Sequence, residues 1–230
     1  MVDRQTPLPH GATYGPGAVV TSPLSEYRDV PAVLPGVVAL VHEAGNPYLD
    51  WLFGGRERAS GAIAAWMLRP DSELSIDRVR IALVGDELAG TYISLAGSEL
   101  RTCRQADALA LIAETGQSQA ARAALVERLT ASKELFPPVR PDDFYLSKIG
   151  VVGKHRRKGL GRALTHEFLA AGREAGCRQF RLDVAADNEP AVRLYRSLGF
   201  HTESKREAAG LRYLAMTAAP NRIASPGGPP

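Results

Sequence analysis

Cysteine is nearly missing from this chain of 230 residues: Cys103 and Cys177 are its only two. They stand too far apart in sequence for a disulfide-stapled framework or a metal knuckle, and they read as free thiols of a reducing, cytoplasmic environment. Long apolar runs are missing as well. None approaches the roughly 20 residues needed to span a bilayer, and the first residues carry no apolar segment of the signal-peptide kind, so no membrane role is expected. Charge of one sign is also scarce, with 28 Lys and Arg against 25 Asp and Glu and a net +3. A nucleic-acid-binding chain would carry a broader basic excess. The five histidines, among them His42, His155, His166 and His201, show no metal-ligand spacing.

The length suits one domain with a well-buried core. Residues 1–16 and 219–230 are rich in Pro and Gly and poor in apolar side chains, so both read as disordered tails. A single domain is expected over 18–217. Residues 18–21 read as a short strand. Asp29 then caps a helix with Pro31 in its first turn, carrying Val33, Val37, Leu40, Val41 and Ala44 at helical spacing. A second helix follows over 56–69, and a hairpin over "RVRIALV" and "LAGTYISLA" turns at Gly85-Asp86-Glu87. Residues 98–141 hold Ala-rich helical patterns near 106–114 and 120–135 and read as a helical insertion. Beyond it come a strand in "DDFYLSKIGVV", a helix over 161–175 with Leu164, Phe168, Ala171 and Ala175 on one stripe, and a strand in "QFRLDVA". A short helix over 190–198 and a closing hairpin complete the order. The result is an α/β fold with a mixed sheet. Tyr48, Trp51 and Trp66 read as helix packing.

One segment concentrates charge. "VVGKHRRKGLGRAL", residues 151–164, places Lys154, Arg156, Arg157, Lys158 and Arg162 around Gly159 and Gly161, where a strand pattern gives way to a helical one. Free N–H groups and the positive dipole end of a helix N-terminus bind phosphate, and glycines let the backbone approach it. A solvated basic turn is the plain alternative. A Walker A loop does not match, because G-x-x-x-x-G-K-[ST] is absent. A dinucleotide fingerprint is closer, with Asp183 about 24 residues on, but its third glycine position is Leu164.

Taken with a second motif, the loop becomes specific. R-x-x-G-x-G at Arg156, Gly159 and Gly161 is followed by "NEPAVRLYRSLGF" starting at Asn188, a pattern N-x-x-A-x-x-L-Y-x-x-x-G-F. Over residues 143–203 the chain resembles the GNAT superfamily of acyl-CoA-dependent N-acetyltransferases, and more loosely over 18–97. The resemblance implies a mostly antiparallel mixed central sheet flanked by helices, with the insertion lying before the cofactor-binding strand. It implies acetyl-CoA as acyl donor without a metal, and a primary amine acceptor: a small metabolite, an antibiotic or a peptide N-terminus. Main-chain groups of Ile149, Gly150 and Val151 would hold the pantetheine and thioester, with the Val151 N–H meeting the oxyanion and Gly150 compatible with a bulge. The loop from Arg156 through Arg157, Lys158, Gly159, Leu160 and Gly161 to Arg162 would hold the pyrophosphate. Tyr195 matches the family's general acid, though its i, i+3, i+4, i+7 stripe with Ala191, Leu194 and Leu198 also suits a core tyrosine. Asn188 matches a cofactor-contacting Asn and equally an N-cap. Asp183 aligns with a glutamate base, one methylene shorter, and Tyr145 with a base position of histone-type members, where a tyrosine would instead line the acceptor site. A lysine-like amine of pKa ~10.4 is neutral about once in 10³ at pH 7, an α-amine near ~8 roughly a tenth of the time, so a weak base suits the latter. A catalytically idle acyl-CoA-binding module remains the rival reading, and nothing in the sequence decides whether the chain forms a homodimer.

Overall fold

A computed structural model describes residues 21–116 and 118–222. Both expected tails fall largely outside it, as does most of the strand expected at 18–21. Seven strands form one sheet in the order β1-β2-β3-β4-β5-β7-β6. They are β1 (Thr21–Pro23), β2 (Val79–Val84), β3 (Glu87–Ala96), β4 (Asp143–Val151), β5 (Gln179–Ala185), β6 (His201–Ala208) and β7 (Leu211–Ala218). Every neighbouring pair is antiparallel except β4 with β5. Seven helices cover the sheet: α1 (Val30–Gly45), α2 (Tyr48–Phe53), α3 (Arg56–Met67), α4 (Gly97–Glu114), α5 (Gln119–Leu135), α6 (Leu160–Glu174) and α7 (Glu189–Ser197). Among the described residues no helix is long and apolar enough to cross a membrane.

Two cores lie on opposite faces of the sheet. One gathers Phe168, Phe180, Leu182, Val192 and Tyr195 beneath α6 and α7. The other gathers Val37, Val41, Ile63, Trp66, Ile93, Leu111 and Leu125 from α1, α3, β3, α4 and α5. Asp29 caps α1 as its side chain predicts, accepting the Ala32 N–H at 3.2 Å. On α6 the buried stripe departs from expectation. Leu164 and Phe168 are buried, but the stripe continues through Gly172 and leaves Ala175 exposed. A side chain at 172 would meet the Phe180 and Phe144 rings at 2.5 and 2.7 Å, so this helix packs its own backbone against the sheet.

Two elements are longer or newer than the sequence pattern suggests. The first insertion helix begins at Gly97, well before the apolar periodicity near 106; its early turns bury Gly97, Leu100, Cys103 and Asp107, too few apolar side chains to mark a stripe. The six-residue α2 follows a cis Asn46–Pro47 bond and has no periodicity of its own to betray it. The ends of the α4–α5 hairpin meet. Ser98 N–H donates to Pro141 O at 3.2 Å, and a Cβ on Gly97 would lie 1.9 Å from Arg140 O, which leaves room there for glycine alone.

Candidate active site

The seam between β4 and β5 organises the site. These strands pair only from Asp143 with Gln179 to Leu146 with Leu182. Beyond that, β4 stays with β3 to the Val151–Gly90 pair and β5 stays with β7 to the Ala185–Tyr213 pair, so the two part company. Val152 N–H donates to Ala89 O at 2.9 Å. Antiparallel ladders alternate hydrogen-bonded and non-bonded pairs. Val151 opposite Gly90 and Ile149 opposite Tyr92 are therefore non-bonded, and their N–H and C=O groups face the edge that β5 has left.

A bulge sits on this strand, but not at Gly150. The register slips between Ile93 and Ser94, where Lys148 and Leu146 are the opposing residues and Ser147 is the extra one. Gly150 instead admits α1: a Cβ there would come within 2.9 Å of Leu40 Cβ and 3.0 Å of Leu40 O. The bulge restores Ile149 and Val151 to the α6 face, where Phe144 and Leu146 also point. It leaves both Ser147 and Lys148 on the opposite face with Tyr145.

The basic loop closes the seam. Arg157 and Gly159 have positive φ, 60° and 88°, and α6 begins at Leu160 with no side chain capping its N-terminus. Its first intrahelical bond runs from Ala163 N–H to Gly159 O at 3.0 Å, so the preceding N–H groups have no intrahelical acceptor. A Cβ on Gly161 would meet nothing closer than Leu194 Cδ2 at 3.6 Å, so the fold itself does not require that glycine. The loop's cations divide. Arg156 donates to Val151 O at 2.9 Å and to Glu43 Oε1 at 2.5 Å, Lys154 pairs with Glu87, and Arg162 donates to Ser197 Oγ at 2.8 Å. Arg157 and Lys158 form no ion pair among the described residues. Seam and cradle together could hold a cofactor with an extended polar arm and a pyrophosphate. On α7, Asn188 Oδ1 accepts the Ala191 N–H at 3.3 Å as an N-cap. Tyr195 is buried near Phe200, its hydroxyl makes no hydrogen bond among the described residues, and burial pushes its pKa above the ordinary tyrosine value.

On the other face of β4 lies a cavity of about 460 Å³ between α2, α3, α4, α5 and the strands. Its floor is a polar chain. Tyr145 donates to Asp183 Oδ2 at 2.9 Å; Arg104 donates to the Tyr145 hydroxyl at 3.1 Å and to Glu73 Oε2 at 3.0 Å. Glu73 also accepts from the Ser147 hydroxyl, and Lys148 Nζ stands 3.9 Å away. Burial would raise the Glu73 carboxyl, but Arg104 and Lys148 outweigh it and hold the group down at about 2. Asp183 moves the other way, because burial exceeds the lowering by Arg104 and Tyr145. Burial also lowers Lys148. Tyr48 and Trp66, expected only as packing, line this cavity, whereas Trp51 packs beside Tyr48. Glu73, Arg104 and Lys148 escaped the sequence reading. Glu73 lies in a Ser- and Asp-rich turn and Arg104 in a polar helix start. A lysine between Leu146 and Ile149 on β4 was the one available signal.

The family model for the GNAT acetyltransferase family matches residues 62–200. The chain belongs to that family. Within it, the chain is 30% identical over 186 residues to the mycothiol acetyltransferase of Actinosynnema mirum, covering 69% of this chain and 61% of that protein. It is 37% identical over 65 residues to the [ribosomal protein bS18]-alanine N-acetyltransferase of Escherichia coli K12, covering 28% and 44%. A 52-residue match at 52% identity to the Nocardiopsis dassonvillei mycothiol acetyltransferase covers 23% of this chain and 16% of that protein. The chain thus spans less than two thirds of these relatives' length. The GNAT fold is evident in a solved structure, an N-acetyltransferase from Staphylococcus aureus Mu50. That structure has a TM-score of 0.61 at 17% identity and covers 82% of this chain and 96% of that one.

Proposed function

We propose that this chain transfers an acetyl group from acetyl-CoA to a primary amine by direct attack. The observation that carries the reading is the open seam. Ile149 turns its main-chain N–H and C=O toward it and Val151 its N–H, the Val151 carbonyl being taken by Arg156, and it leads to an uncapped helix N-terminus flanked by Arg157 and Lys158, which form no ion pair among the described residues. Those features fit coenzyme A. Ile149, Gly150 and Val151 would hold the pantetheine arm. The N–H groups of Gly159, Leu160, Gly161 and Arg162, with Arg157 and Lys158, would hold the pyrophosphate. Arg156 would stiffen the loop, since its guanidinium is spent on Val151 O and Glu43. When bound, acetyl-CoA supplies the activated acetyl thioester.

The chain's own residues would do three things. Val151 N–H would donate to the developing oxyanion from a fixed strand position. Asp183, raised by burial and oriented by Tyr145, would take the proton that the attacking amine sheds. Tyr195, on the α6 face, would return a proton to the departing sulfur. Asn188 would add a cofactor contact beside its capping bond.

Calorimetry with coenzyme A and thiol release from acetyl-CoA in the presence of an amine library test this reading. Gly161→Val should keep the fold, because the position has space, yet raise the Kd for coenzyme A by well over tenfold by blocking backbone approach to the pyrophosphate. Unchanged affinity would remove the cofactor assignment. Tight binding with no thiol release for any amine would favour the idle acyl-CoA-binding module.

A further inference from the structure

The cavity beyond the seam has a composition of its own. Its walls are Leu49, Leu52, Leu111, Ile112 and Leu129, and Val126, 48% exposed, stands at its edge as one of the few large apolar side chains left in solvent. Charge is confined and balanced: Glu73, Asp107 and Asp183 against Arg104, Lys133 and Lys148. The carboxylates are largely committed. Glu73 takes Arg104 and the Ser147 hydroxyl; Asp107 accepts the Glu73 N–H with Oδ2 at 3.0 Å, and its Oδ1, though not hydrogen-bonded, is ion-paired with Arg69 at 3.5 Å. Asp183 accepts the Tyr145 hydroxyl with Oδ2, while its Oδ1 is buried with no hydrogen bond among the described residues. One carboxylate oxygen near the seam can serve one amine. An acceptor carrying several ammonium groups would find no second free carboxylate and would meet Lys148 and Arg104. A polyhydroxylated one would lay its hydroxyls against leucines, and unpaired polar groups are costly to bury.

We infer that the acceptor is a monoamine with an apolar body: its nitrogen lies at Asp183 and its body between α2 and the α4–α5 hairpin. The inference rests on the acetyl-transfer reading for the role of the site, but not for the contacts. A free alkyl- or arylalkylamine and a peptide N-terminus with a large apolar first residue share this chemistry.

Calorimetry of butyl-, hexyl- and octylamine on the full chain, with and without coenzyme A, tests the inference without needing turnover. Each added methylene should tighten binding by about fourfold, the factor corresponding to ~0.8 kcal/mol per buried CH₂. Spermidine and an aminoglycoside should bind more weakly than hexylamine. Phe-first tetrapeptides binding better than Gly-first ones would identify the peptide source, and failure of Phe-first peptides alongside a steep amine series would identify the free amine. Leu129→Gln, on the half-buried cavity side of α5, should flatten the series while coenzyme A affinity reports that the fold survives. A series with no chain-length dependence, or tighter binding of spermidine, would overturn the inference even if acetyl transfer were observed. Steep amine binding without any coenzyme A affinity would instead uphold the cavity and sink the transfer reading.

Discussion

Tyr195 shows how one side chain can satisfy two readings. Its stripe on α7 packs it into the core against Phe200, as a purely structural tyrosine would be packed, and its hydroxyl has no hydrogen-bond partner among the described residues. Burial raises its pKa, so it would stay protonated through neutral pH and could only give a proton, never keep one off. A thiol of pKa ~8.5 leaves readily as thiolate. A general acid here should therefore sit at the low end of the usual ~10²–10⁴-fold contribution. Tyr195→Phe keeps the ring and should lower kcat by about 10²-fold with coenzyme A affinity unchanged, read by steady-state kinetics beside calorimetry. Motif spacing located single residues: Arg156, Gly159 and Gly161 fall at the turn into α6, Asn188 caps α7 and Tyr195 lies on it. Glu73 and Arg104 were not legible in this way, because their partners lie 31 to 74 residues away and no local pattern encodes such pairings.

At the scale of elements, periodicity carried most of the information. α1, α3, β2, β3, β5, α7 and the β6–β7 hairpin fall close to where apolar spacing and turn residues put them. The misplaced features are those that periodicity cannot report: the short α2, the polar opening of α4, and a bulge set by pairing across strands rather than by a glycine. α4 also brings a carboxylate into the interior. Asp107 is buried, accepts the Glu73 N–H, and burial pushes its carboxyl up to about 6. A carboxyl raised on folding binds protons more tightly in the native state. Its contribution is thus favourable below the ordinary aspartate value near ~4 and declines as pH rises to about 6. Asp107→Asn keeps an acceptor for the N–H and removes that titration. Its stability relative to the parent should improve from pH 4 to pH 7 by about 2 kcal/mol, a net figure in which the opposing pull of Arg69 at 3.5 Å is already contained. Thermal melts across that range, showing a Tm difference that grows with pH, would bear this out; a pH-independent difference would contradict it.

For the molecule as a whole, Arg104 ties the inserted hairpin to the sheet. From α4 it reaches Glu73 before β2 and Tyr145 on β4, which in turn reaches Asp183 on β5, and its guanidinium lies 5.0 Å from the Tyr145 ring centroid. Removing it would leave the buried Glu73 carboxylate with only the Ser147 hydroxyl and Lys148 at 3.9 Å, and breaking a buried pair typically costs about 3–5 kcal/mol. Arg104→Met should therefore lower urea stability by about that amount, and adding Glu73→Gln should restore a large part of it. If the double variant is as unstable as the single, the pair is not what couples hairpin to sheet. The meeting of the hairpin's ends at Gly97 and Arg140 has a further consequence. Because the chain leaves β3 and re-enters at β4 through a single narrow neck, the hairpin is a cassette. Lineages could exchange it, or a protein engineer could graft another in its place, changing which amine is admitted while the strand ladder and the phosphate cradle keep their register.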